Sequence, residues 1–238
     1  MQSLDWLLLL RAPYGERLLD ATLTTLELSL LSWVFAIVIG VVAGLLREAP
    51  SCTARFAATG FVEIFRNVPL LVQLFFIYFV LPRVLPLQLR QILFAFGWEF
   101  VSAVLTLSLY TGAKIAEHVR SGLNTVGAGV RQAAVSTGLT WIATQCHVVG
   151  PLVLRTIVPG LTSEFVTVFK SSSLAMTIGV VETSYLTQQL GLQTFHWVEA
   201  STLGTVVYLL CAWTVAGVMS LVERWTYVPG LLRRGARP

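Results

Sequence analysis

Residues 22–46 read TLTTLELSLLSWVFAIVIGVVAGLL, and Glu27, near the start, is the only charge among them. A helix rises about 1.5 Å per residue and a bilayer's hydrocarbon core is about 30 Å thick, so roughly 20 apolar residues suffice to cross it. A helix also satisfies its own backbone groups where no water can. Working outward, four more segments have that length and character: residues 56–81, 92–113, 151–172 and 201–221. The chain therefore reads as an all-α polytopic membrane protein with five transmembrane helices. The membrane-spanning body covers residues 22–224, between an outer or interfacial segment at 1–21 and a basic tail at 225–238.

Composition supports this class. Hydrophobic residues make up 55% of the 238 and charged residues 12%, about half the share of a soluble domain. Mean hydropathy is +0.76. The net charge of +4 is not gathered into a nucleic-acid patch; Arg233, Arg234 and Arg237 follow a span and read as a cytosolic flank. Cys52, Cys146 and Cys211 are too widely spaced for a zinc or redox motif. The apolar run at residues 6–10 is too short for a signal peptide, and no basic stretch precedes it.

Basic residues set the orientation. With the N-terminus outside, the cytosolic side holds Arg47, Arg55, Lys114, Arg120, Arg131, Arg224, Arg233, Arg234 and Arg237, against Arg11, Arg17, Arg83 and Arg90 outside. That asymmetry predicts N-terminus out and C-terminus in. It also puts the longest connection, residues 114–150, in the cytosol. Val130, Ala133, Ala134 and Thr137 recur there at helical spacing, with Gly127, Gly129 and Gly138 as punctuation. A second helix over residues 141–149 precedes a break at Gly150-Pro151. Small residues on one face let a partner approach closely, so this is a docking shape. Residues 177–199 are mixed, and either lie outside the membrane or re-enter it.

Ionisable residues inside spans are costly and mark pathways or structural pairs. Glu63 and Arg66 stand three apart on one helix face and can pair; Pro69 then breaks or kinks the helix. They read either as an anchoring salt bridge or as cavity-lining groups. Glu164, Val168, Ser171 and Ser172 share a face of the fourth span, and Lys170-Ser171-Ser172-Ser173 ends it. Glu164, Ser171, Ser172 and Ser173 are candidates for a path for a small polar solute, with an interfacial cap and a snorkelling lysine as the alternative. His118, His147 and His196 read as isolated loop or flank residues, with no metal-ligand cluster. There is no phosphate loop and no nucleophile–base arrangement. The chain is therefore read as a non-enzyme with no cofactor of its own.

Several stretches carry a resemblance. Gly129-Val130-Arg131-Gln132-Ala133-Ala134, then Gly138, then Gly150-Pro151 resembles the Glu-Ala-Ala loop of ABC importer permeases. Glu63-Ile64-Phe65-Arg66-Asn67-Val68-Pro69-Leu70-Leu71-Val72-Gln73 is similar to the Glu-x-x-Arg-x-x-Pro-Leu-Leu-x-Gln signature of the polar amino-acid subfamily. Residues Gly112 to Gly122 resemble its Gly-Ala-Tyr-x-Ala-Glu-x-x-Arg-Gly segment, and Lys170-Ser171-Ser172-Ser173-Leu174 its Lys-x-Thr/Ser-Ser-Leu segment. The departures are Gln132 for the motif glutamate, Val130 for glutamine, Gly150 for leucine and Lys114 for tyrosine.

The resemblance implies a type I importer permease in the bacterial inner membrane. Its partners would be a cytosolic ATPase dimer, which binds ATP with magnesium, a second permease and a periplasmic amino-acid-binding protein. Gly129, Arg131, Gln132, Ala133, Ala134 and Gly138 would form the coupling helix seated on the ATPase. The altered loop fits a non-identical partner permease slightly better than an identical one. The motifs look most like those of glutamate/aspartate permeases, and Ser171 leaves no counter-charge for a cationic side chain, so a glutamate/aspartate- or glutamine-like cargo is expected. The rivals are an ion-coupled secondary transporter using Glu63, Glu99 and Glu164, which usually has more spans and internal repeats, and a purely structural subunit.

Overall fold

The computed structural model describes residues 13–226, and among them it is helical without strands. The elements are α1 (Tyr14–Leu46), α2 (Cys52–Asn67), α3 (Leu70–Phe75), α4 (Leu81–Val84), α5 (Leu87–Ala95), α6 (Trp98–Thr125), α7 (Ala128–Ser136), α8 (Trp141–Thr144), α9 (Gly150–Ser171), α10 (Thr183–Thr194) and α11 (Trp197–Thr226). π-helical turns join α3 to α4 and α8 to α9, and a 3-10 segment, Ser172–Ile178, extends α9.

The centre is α1 against α6. Gly40 and Gly112 let the two backbones close up: a Cβ at Gly40 would lie 2.5 Å from Ile115 Cβ and 2.8 Å from the Gly112 carbonyl oxygen. Packing through small residues is the usual solution where lipid offers no hydrophobic drive between helices. Ser108 Oγ donates to the Ser32 carbonyl at 3.2 Å. Ser32 thus meets Ser108, Gly40 meets Ile115 and Gly44 meets Val119, so α1 and α6 run parallel. Parallel neighbours need a return crossing between them, which α2 to α4 supply. Helix α9 runs antiparallel to α6, since Gly122 abuts Ile157 while Lys114 reaches Glu164. Outward, Leu23, Leu30, Val34 and Val38 of α1 and Val206, Leu210 and Trp213 of α11 are exposed apolar side chains, as expected where lipid is the neighbour.

Three helical segments are long and apolar enough to cross a membrane (Tyr14–Leu46, Ile142–Ile178 and Trp197–Thr226), and up to five if two bent pairs each count as one span. One pair bends by 108° at Val68-Pro69 and the other by 100° between α5 and α6. Pro69 has no amide to continue α2, and Val68 is extended, the conformation a following proline favours. Gln73 Nε2 donates to the freed carbonyls of Phe65 and Val68 at 2.9 and 2.7 Å.

Several expected boundaries move. Helix α1 starts at Tyr14, eight residues before the apolar stretch, so residues 14–21 are part of it rather than a separate segment. Helix α6 continues to Thr125, so the first part of the expected 114–150 connection is helix packed on the bundle. No break occurs at Gly150-Pro151: the π-helical turn Gln145–Val149 runs straight into α9, so the helix continues through Pro151. Residues 177–199 hold α10, which packs on α1 and α11. The apolar run at 6–10, Arg11 and the basic tail at 227–238 lie outside the described residues.

Candidate functional site

Helix α7 lies at the end of the bundle where α1 and α6 finish and α9 begins. It closes at Gly138, whose amide donates to the Val135 carbonyl and whose φ of 87° is in the left-handed region that glycine adopts without strain. Arg131 is half-buried and its Nη2 donates to the Leu123 carbonyl at 3.1 Å, fastening α7 to the last turns of α6. Gly129, Val130, Gln132 and Ala133 are exposed, whereas Ala134 is buried against its own chain. The expected docking residues therefore split: Arg131 and Ala134 face inward, and Gly129, Gln132 and Ala133 face outward.

Earlier on α6 than Leu123 lies a knot of charge. Glu117 on α6 accepts from Arg47 at the end of α1, from Arg120 Nη2 at 2.6 Å, and lies 3.6 Å from Arg66 Nη1 on α2. Glu164 on α9 faces Lys114 Nζ and His118 Nε2, each at 3.5 Å. Arg66, Lys114, Glu117, His118, Arg120 and Glu164 line a cavity of about 530 Å³. Two carboxylates thus tie α1, α2, α6 and α9 together, and the four cations Arg47, Arg66, Lys114 and Arg120 outnumber them two to one.

This corrects two expectations. Glu63 and Arg66 do not pair: Glu63 is exposed and accepts from Asn67 Nδ2 at 2.9 Å, while Arg66 turns to Glu117. Spacing places residues on a face but does not choose between partners on it. His118 is no loop residue; the extension of α6 carries it to Glu164. Lys114 and His118, four apart, share the α6 face towards α9, a signal available only once the helix is known to run past residue 113.

The serines separate too. Ser172 is buried and donates to the Phe169 carbonyl at 2.7 Å, and Ser171 lines a small crevice with Leu70, Leu74 and Thr106. Ser173 donates to the Lys170 carbonyl at 2.9 Å and, with Lys170, borders a different cavity towards α10 and α11. Ser171, Ser172 and Ser173 do not form one polar face.

Sequence reasoning missed Glu182, which caps α10. Its carboxylate accepts from the Ser184 and Tyr185 amides at 2.9 and 2.8 Å, and from Tyr208 Oη at 2.5 Å. Thr25 Oγ1 of α1 lies 3.5 Å away. The side chain is fully buried in the connection between α9 and α11. Burial pushes its carboxyl above the ordinary glutamate range, against the opposing pull of these hydrogen bonds. Glu182 at position 182 followed by Thr183-Ser184 reads in retrospect as a helix start, though Glu is a less usual cap than Asp or Ser.

The chain matches, over residues 36–227, the family described as binding-protein-dependent transport system inner membrane component. It is 35% identical over 243 residues to the glutamate/aspartate import permease protein GltJ of Escherichia coli, covering 96% of this chain and 98% of that protein. It is 32% identical over 215 residues to the nopaline transport system permease protein NocM of Agrobacterium fabrum, covering 88% and 87%. Among solved structures, a chain of an amino acid ABC transporter with histidines superposes with a TM-score of 0.79 at 25% identity, covering 94% of this chain and all of that one. Sequence motifs, helical architecture and these matches agree: the chain belongs to the inner membrane components of binding-protein-dependent transport systems, as a permease component of an ABC amino-acid importer.

Proposed function

We propose that this permease imports acidic amino acids, glutamate and aspartate, into the cytoplasm, driven by ATP bound with magnesium on a partner ATPase. The observation that carries the reading is α7: a short helix at one end of the bundle, tied to α6 by Arg131, with Gly129, Gln132 and Ala133 outward. A close-packed ATPase groove fits that face. The knot around Glu117 and Glu164 joins four helices and lies on α6 ahead of Leu123, where Arg131 ties α7, so α6 is the natural route by which closure of an ATPase pair reaches the bundle. Glu164 and Arg66 serve there as the inner end of the path, while Glu63, exposed and bound to Asn67, stands aside from it.

The substrate reading rests on likeness to the glutamate/aspartate permease and on Ser171, which offers no counter-charge to a cationic side chain. The chain works with a second, non-identical permease and a periplasmic binding protein. Its N-terminus faces outward and α7 the cytosol, in keeping with the basic residues gathered at the α7 end.

The test is uptake of labelled glutamate by cells expressing the complete system, with and without ATP depletion. Uptake that collapses on depletion, and recovery of an ATP-binding subunit with this chain on purification, are expected. Uptake indifferent to ATP, with no such subunit recovered, would remove the reading in favour of ion coupling.

A further inference from the structure

An apolar groove of about 710 Å³ runs down the outside of the bundle between α1 and α6. Glu27, Leu31, Phe35 and Ile39 line it from α1, each four residues from the last and so on one stripe of the helix. Val101 and Leu105 line it from α6. Helices α1 and α6 are parallel, so the start of α6, and α5 before it, stand at the Glu27 end, away from α7. Leu93 and Phe96 of α5 close that end, because α5 is bent 100° from α6 and lies across it.

Only two of the lining side chains are polar. Ser108 already donates to the Ser32 and Val104 carbonyls. Glu27 is exposed, and among the described residues it has no hydrogen-bond or ion-pair partner. A carboxylate within an apolar span is costly and is kept where it meets a partner. That partner comes from outside the chain. Arg90, one turn before Leu93 on α5, is exposed too, so the same end of the groove carries both signs of charge.

Length chooses the occupant. Twelve residues separate Glu27 from Ile39, about 18 Å of helix, against roughly 15 Å for half of a bilayer's hydrocarbon core. A spanning helix of a second permease needs the full thickness, about 30 Å, and α5 stands in its way. A single lipid tail needs only one leaflet.

We infer that this groove holds a phospholipid with a primary-ammonium headgroup, one acyl chain lying along Leu31, Phe35 and Ile39 and the ammonium donating to the Glu27 carboxylate. A primary ammonium has three N–H donors and a quaternary choline has none, so the site tells phosphatidylethanolamine from phosphatidylcholine. This recognition is independent of which cargo the permease carries.

The test is native mass spectrometry of the complete detergent-purified transporter, titrated with phosphatidylethanolamine and with phosphatidylcholine of the same acyl chains. A charge-assisted hydrogen bond is worth on the order of tenfold in affinity, so the wild type should hold phosphatidylethanolamine about ten times more tightly. Glu27→Gln should bring the two Kd values together, and Glu27→Asp should keep most of the preference. Leu31→Trp fills the groove and should remove one bound lipid per copy of this chain, whichever headgroup is offered. Both side chains are exposed, so these variants should match the wild type in thermal midpoint in phosphatidylcholine. Equal affinities in the wild type, or a preference that survives Glu27→Gln, overturns the role of the carboxylate, and an unchanged lipid count in Leu31→Trp overturns the groove. Loss of the second permease from the purified Glu27→Gln complex, with lipid binding unmoved, would give this face to that subunit and overturn the lipid site as well.

Discussion

At the scale of single residues, the bundle depends on where side chains are missing and on where charge is shared. Gly40 is the clearest case, since any Cβ runs into Ile115 and the Gly112 carbonyl. Gly40→Leu should destabilise the detergent-solubilised protein by about 1–3 kcal/mol, read as a lowered midpoint of thermal unfolding, because neither obstacle is the flexible end of a side chain. Glu182 is the opposite case, a buried acceptor serving three donors. Glu182→Ala leaves the Tyr208 hydroxyl and two amides without their partner, at a cost of about 1–3 kcal/mol, while Glu182→Gln should retain part of the stability. A midpoint in Glu182→Ala equal to wild type would contradict the assignment. The sequence made Glu164 visible as a costly charge in a span, but not its partners. Those depend on His118 and Lys114 arriving from another helix, which no local pattern encodes.

At the scale of elements, hydropathy located the apolar part of each helix and misjudged the polar extensions. Helix α6 runs to Thr125 because its last turns bury Ile115, Ala116 and Val119 while Glu117 and Arg120 pair. A scan for apolar residues ends at the first charge. The break after α2 was legible because proline cannot continue the ladder. The amide that makes the break tolerable was not, since it comes from Gln73 on the next helix. Gln73→Leu should therefore lower stability by about 1–3 kcal/mol by stranding the Phe65 and Val68 carbonyls, read as a lowered midpoint of thermal unfolding. Helix α7 was legible in type and place, but its two alanines are not equivalent. Ala134→Asp puts a charge into the chain's own packing and should lower the yield of folded permease, whereas Ala133→Asp should leave the isolated permease as stable as wild type.

At the scale of the whole molecule, parallel α1 and α6 with antiparallel α9 bring Arg47, the end of α6, α7 and the start of α9 to one end. The N-terminus of α1 and helix α10 lie at the other, where Arg17 Nη2 meets Gln189 Oε1 at 3.2 Å. Net positive charge at the α7 end fits the side that faces the cytosol. A cysteine placed at Ala133 should accordingly react with a membrane-impermeant thiol reagent only in inside-out vesicles, and labelling in right-side-out vesicles would reverse the orientation. The central claim is that ATP-driven movement enters this chain through the outward face of α7. Its most direct test is ATP-dependent glutamate uptake by proteoliposomes holding the complete complex with Ala133→Asp in this chain. Loss of uptake at least tenfold, with the permease folded as wild type, is predicted; uptake at the wild-type rate and with wild-type ATP dependence would contradict it.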